Sequence, residues 1–231
     1  MSNLNTNVSS EIEKYFKDFS DAIPILTSIF SMMENHCAAI YLGGSRVDPV
    51  ITNAHDYDCI CFAKPSHYYE LSVLLEKIGF KSEIAMEGKS HTTLKQLYQQ
   101  SNNGLDLDLL DISQMRSYTF NKIDWFAYLD HYMIKFIGED VCPKPDLLGA
   151  DRAAYLKDLK LKATELYSRD WSEHPSRNKR WYHILRGIYI LLNNSYEVTD
   201  EQKKEINILH DLAGGWEEIR DKAIKLLETL K

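Results

Sequence analysis

The hydrophobic period of this chain changes once, and that change limits the folds open to it. Up to about residue 112 the apolar residues fall in short runs broken by turn residues, as in "CAAIYLGG" and "GLDLDLLDI". Beyond "GEDVCPKPDLLG", residues 138–149, the pattern is helical throughout, over about 149–170, 177–193, 199–213 and 215–230. Two prolines and two glycines make that segment the best boundary, between a domain over 1–145 and a second over 146–231. The predicted class is α/β (α+β), a mixed sheet followed by an all-helical domain.

Within the first part, the periodicity predicts a helix over 9–34, interrupted at Pro24, and strands over 37–42 and 57–63. A helix from Pro65–Ser66 to Ile78 follows, closed by Gly79. Three further segments near 81–86, 91–98 and 105–112 have strand character, with "MEGKSH" as a hairpin turn. Residues 124–137 read as helical or partly extended.

The chain has 231 residues, of which 44% are hydrophobic and 26% charged, enough to bury a core. No apolar run approaches the roughly 20 residues of a membrane span, and no signal peptide opens the chain. Four cysteines in this length do not form a disulfide framework, so a cytoplasmic protein is expected. Cys59 and Cys61 share a strand face and read as packed thiols, because a CxC without a second cysteine pair is weak zinc evidence. Net charge is −7. Residues 1–145 hold 12 Lys+Arg against 19 Asp+Glu, and 146–231 hold 15 of each. This balance argues against a long nucleic-acid groove.

The unusual pair is Asp56 and Asp58, two carboxylates on an apolar strand. A buried carboxylate must be desolvated, and alternation puts both on one side, where they repel. Divalent magnesium removes the conflict, since it prefers hard oxygen ligands and substrate phosphates. The preceding turn, Gly43, Gly44, Ser45 and Arg46, offers backbone N–H groups, a hydroxyl and a guanidinium to a phosphate. In "GLDLDLLDI" the leucines alternate with Asp106 and Asp108. If the leucines face the core, both aspartates face the opposite side, while Asp111 has the other parity and suits a cap.

Leu42-Gly43-Gly44, followed after the eleven residues Ser45 to His55 by Asp56-Tyr57-Asp58-Cys59, resembles the signature of the DNA polymerase β-like nucleotidyltransferase superfamily. "LDLLDI" resembles the later strand that carries the third carboxylate, which favours Asp108 over Asp106. Asp48-Pro49 stands where that family often has a glycine. The helical tail resembles, loosely, domains that accompany such enzymes in bacteria and phages.

The resemblance implies an enzyme that moves a nucleoside monophosphate from a nucleoside triphosphate to an acceptor hydroxyl, releasing pyrophosphate. Asp56, Asp58 and Asp108 would hold Mg²⁺, or Mn²⁺ in its place. Gly43, Gly44, Ser45 and Arg46 would meet the nucleotide. The acceptor is an RNA or tRNA end, a protein or a small molecule. The alternative is a catalytically silent nucleotide-binding or toxin/antitoxin module of the same fold.

In "RNKRWYHILR" the cations Lys179, His183 and Arg186 form one helical stripe. The expectation is a nucleotide-binding lid, with Trp181 or Tyr182 near the base. A solvated helix face with core aromatics is the competing reading.

Overall fold

The computed structural model describes residues 10, 12–13, 23–43, 57–77, 79–86, 89–93, 105–113, 121–168, 177–211 and 216–230. Within these, the side chains of 23–26, 57, 82–86, 89–93, 105–106, 165–168, 177–179, 209–211 and 216 lie outside the description. The chain divides into two compact units. The first holds the described residues up to 113 together with Tyr132–Val141. The second holds 121–131 and the described residues from Cys142 onward.

Among the described residues, the first unit is a six-stranded mixed sheet with helices packed on it. In chain order its elements are α1 (Ile23–Glu34), β1 (Cys37–Gly43), β2 (Tyr57–Ala63), α2 (Tyr68–Lys77), β3 (Lys81–Met86), β4 (Lys89–Thr93), β5 (Leu105–Asp111) and, after an excursion into the second unit, β6 (Ile134–Gly138). The strand order is β3-β4-β5-β2-β1-β6. Only β2 and β5 pair in parallel, as expected where a helix crosses between the strands.

Pro24 is the second residue of α1, where its missing N–H costs nothing; helical backbone also occurs at residues 10 and 12–13, and residues 14–22 between them lie outside the described residues. Gly79 ends α2 at φ 105°, a backbone value that favours glycine. Strand β6, read from sequence only as part of a helical or extended stretch, pairs antiparallel with β1.

One face of the sheet carries the core. Ile40 and Leu42 of β1, Cys59 and Cys61 of β2, and Leu107 and Leu109 of β5 pack with Ile29, Phe30 and Met33 of α1 and Leu71 and Leu75 of α2. Cys59 and Cys61 are therefore packed thiols, as their parity predicts. Burial pushes both far above the usual thiol range, which leaves them protonated and unreactive. The other face of the central strands is buried too, at Tyr41, Ile60, Phe62 and Leu110. Tyr41 and Phe62 meet edge to face at 6.0 Å. Burial on both faces accounts for the nearly continuous apolar run of β2.

The second unit contains α3 (Lys122–Phe126), which runs into a π-turn at Ala127–His131, then α4 (Ala150–Ser168), α5 (Arg177–Asn193), α6 (Asp200–Asp211) and α7 (Trp216–Thr229). Helix α5 packs against α4, α6 and α7. Its near-continuous burial from Trp181 to Leu191 makes it the centre of this unit. Thr199 and Gln202 cap α6 reciprocally, each side chain accepting the other's backbone N–H, at 3.3 and 2.8 Å. No described helix is long and apolar enough to cross a membrane.

Candidate active site

Strands β1, β2 and β5 bring Gly43, Asp58, Asp106 and Asp108 into neighbouring register positions. Asp58 of β2 lies opposite Gly43 of β1 and Asp106 of β5, and Ile60 lies opposite Asp108. Since Cys59, Cys61, Leu107 and Leu109 point into the core, Asp58 and Asp108 point to the other face. Both are half-buried. The register adds a distinction that spacing alone does not make. The position directly across from Asp58 is that of Asp106, and Asp108 is two residues further along, across from Ile60.

Gly43 is the last residue of β1, so it takes part in the sheet and is not itself in the turn. A Cβ added to it would come within 2.4 Å of Met133 Cε. The thioether of Met133 therefore covers Gly43 beside the Asp58 position. Asp111 serves as a cap: its Oδ1 accepts the Ser113 backbone N–H at 2.8 Å and the Ser113 hydroxyl at 2.6 Å. Asp56, Gly44, Ser45 and Arg46 lie outside the described residues.

Carboxylates gathered on one sheet face form a hard-oxygen donor set, which fits Mg²⁺ and does not select for softer ions. Asp58 and Asp108 belong to that set through their common face. A different group of ligand atoms converges among the described residues. His36, His67 and Glu70 place one donor atom each within 4.8 Å of one another. Sequence reading missed this trio. His67 and Glu70 show the i, i+3 spacing of one helix face, but His36 is 31 residues away from His67 and joins them only through the fold.

In the helical unit the expected cation stripe is divided. His183 is exposed, whereas Arg186 is buried at 5% exposure. The Arg186 guanidinium donates to the Tyr182 hydroxyl at 2.5 Å, and its Cζ lies 4.8 Å from the centre of the Tyr182 ring. Arg186 is thus part of the interior and presents no cation to solvent, which corrects the lid expectation at this position. The physical reason is that α5 is apolar around most of its circumference, so its polar residues must find partners inside. Trp181 and Tyr182 are core residues as well, at 1% and 4% exposure, and do not display a ring for a base to stack on. Lys179 lies on α5, and its side chain is outside the description.

A second charged group sits beside this interior. Lys162 bridges Asp124 and Asp158, at 2.8 Å each, and the buried hydroxyl of Tyr155 donates to Asp124. Burial and the neighbouring Asp124 carboxylate push the Tyr155 phenol well above its ordinary range, so it stays a donor. Burial disfavours the Lys162 charge, but Asp124 and Asp158 outweigh it and hold the ammonium above its usual value. This arrangement accounts for Lys162 as a structural cation.

The chain matches no protein-family model and no curated protein sequence.

Proposed function

We propose that this protein is a magnesium-dependent nucleotidyltransferase, which moves a nucleoside monophosphate from a nucleoside triphosphate to an acceptor hydroxyl and releases pyrophosphate. The observation that carries the reading is one of register. Asp58 and Asp108 lie on the same face of adjacent parallel strands, with Asp106 at the position across from Asp58, and the alternate residues form the core. Like charges placed side by side in a half-buried setting repel, and a bound cation is one arrangement that offsets that repulsion. Gly43, the last residue of β1, pairs with Asp58 and begins the Gly-Gly-Ser sequence, which supplies the second support.

In this reading Asp56, Asp58 and either Asp106 or Asp108 hold the ions, and Gly44, Ser45 and Arg46 receive the phosphates. Bound Mg²⁺ supplies charge neutralisation of the triphosphate and a lowered pKa for the acceptor hydroxyl. The chain's own part is positioning. The β2 and β5 backbones fix the carboxylates at strand spacing, and the carboxylate nearest the acceptor takes its proton. Cytoplasmic placement belongs to the same reading, supported by four free cysteines, three of them buried.

The test is incubation of the protein with each α-labelled nucleoside triphosphate and Mg²⁺, in the presence of total RNA, a protein extract or a small-molecule extract. Label should move into one of these pools with release of pyrophosphate. No transfer from any of the four triphosphates into any pool overturns the proposal.

A further inference from the structure

We propose that His36, His67 and Glu70 form a binding site for a transition-metal ion of the zinc class, with one coordination position left open to solvent or a further ligand. The three donor atoms are His36 Nδ1, His67 Nδ1 and Glu70 Oε2, separated by 3.1, 3.6 and 3.7 Å. A circle through three points at those separations has a radius of about 2.0 Å, the length of a zinc–nitrogen or zinc–carboxylate bond. An ion slightly above the plane of the donors would therefore reach all three at normal bond lengths. The exposure of the side chains, 20% for His36, 39% for His67 and 59% for Glu70, puts the fourth tetrahedral position toward water.

Without an ion the arrangement is poorly matched to itself. Two Nδ1 atoms 3.1 Å apart need one ring to donate and the other to accept, and the carboxylate oxygen stands too far from either for a hydrogen bond. A cation at the centre would lie within bonding distance of all three donor atoms. The donor set of two imidazoles and one carboxylate is the choice of zinc-class ions and differs from the all-oxygen set of the aspartate face.

The backbone holds the trio in place. His36 closes the turn after α1, donating its N–H to Met33 at 2.9 Å, and its carbonyl accepts the Lys64 N–H at 2.8 Å. His67 N–H donates to the Lys64 carbonyl at 3.0 Å, and α2 then carries Glu70 one turn on. Ser66, immediately before His67, has φ 68°, a left-handed value that costs a side-chain-bearing residue of order 1 kcal/mol and that its neighbours must maintain. The two candidate sites lie at opposite ends of one strand pair. Cys37 pairs with Ala63 beside the histidines, and Gly43 pairs with Asp58 six residues along, about 20 Å away at strand rise. The proposal is therefore independent of the nucleotidyltransferase reading.

The test uses the full chain, stripped with a chelator and dialysed, then titrated calorimetrically with Zn²⁺ alone. Co²⁺ serves as a spectroscopic probe. One equivalent of Zn²⁺ should bind saturably, and Co²⁺ should give the strong visible bands of a four-coordinate site. His36→Ala and His67→Ala should each weaken binding by at least about 100-fold, since loss of even an outer-shell partner costs 10–100-fold. Glu70→Gln is the conservative variant at an exposed side chain. It should keep the far-ultraviolet dichroism of the parent while shifting the Co²⁺ spectrum and weakening Zn²⁺ about 10-fold. Asp58→Asn should leave Zn²⁺ binding unchanged. Absence of saturable binding overturns the proposal, as does binding that survives all three His and Glu variants.

Discussion

The two units treat buried charge in opposite ways. The sheet unit gathers like with like: Asp58 stands across from Asp106, with Asp108 two residues along, on a face otherwise lined by Tyr41, Ile60, Phe62 and Leu110. The helical unit gathers unlike charges, with Lys162 between Asp124 and Asp158, and with the Arg186 guanidinium turned onto Tyr182. Opposite charges that satisfy one another hold an interior together, and their removal leaves a partner stranded. Like charges held together work against stability unless something offsets their repulsion. In the proposed reading, the same residue types carry function in one unit and architecture in the other.

Substitution separates these roles. The largest effect is expected at Asp58: Asp58→Ala should lower Mg²⁺-dependent pyrophosphate release by about 10²–10³-fold or more without lowering the melting temperature. Parallel assays of Asp106→Asn and Asp108→Asn sharpen the point, because the register makes Asp106 the closer partner and its loss the more damaging. Wild-type turnover in Asp58→Ala would break the functional half of the comparison.

Asp124→Ala should do the reverse. It strands the Tyr155 hydroxyl and one side of Lys162, so urea denaturation should show a loss of about 2–3 kcal/mol. A neutral outcome would mean that the charged group is not structural.

Gly187→Ala tests the close approach of α4 and α5. Its Cβ would lie 2.4 Å from Tyr155 Oη and 3.0 Å from Leu159 Cδ2, so destabilisation of about 1–2 kcal/mol is expected despite the better helix propensity of alanine. The penalty should shrink in a Tyr155→Phe background, where the 2.4 Å contact is gone. Equal penalties in both backgrounds would place the clash elsewhere.

The smallest effect concerns Asp151, at the start of α4. The Asp146 backbone N–H, at 3.0 Å, and Lys122, at 3.2 Å, hold its carboxyl below the usual range. A lowered folded-state pKa stabilises above the unfolded value and is lost as pH falls through the folded one. Asp151→Asn should therefore be less stable than the parent at neutral pH, and the two melting curves should converge in acid. A gap that persists below the carboxylate range would contradict the assignment.

Much of this was legible in the sequence because it depends on local period. The leucine–aspartate alternation of 105–111 fixes which residues share a face, and the structure puts Leu107 and Leu109 in the core and Asp108 opposite. The Gly79 helix stop and the four long helices are likewise short-range events. The strand β6 was not legible. Its five residues follow a π-turn, and their strand identity comes from the free edge of β1. The fate of Arg186 also escaped, since spacing shows the stripe a residue lies on and not whether that stripe is covered.

By itself the sequence determined the class of fold and the parity of Asp58 and Asp108, both consequences of backbone geometry over a few residues. Tertiary structure decided the pairing of β2 with β5, which puts Asp106 across from Asp58. It decided the withdrawal of Arg186 into the helical interior, and the meeting of His36 with His67 and Glu70. Each of these joins residues distant in the chain or depends on what neighbours exclude water, and neither is encoded in local spacing.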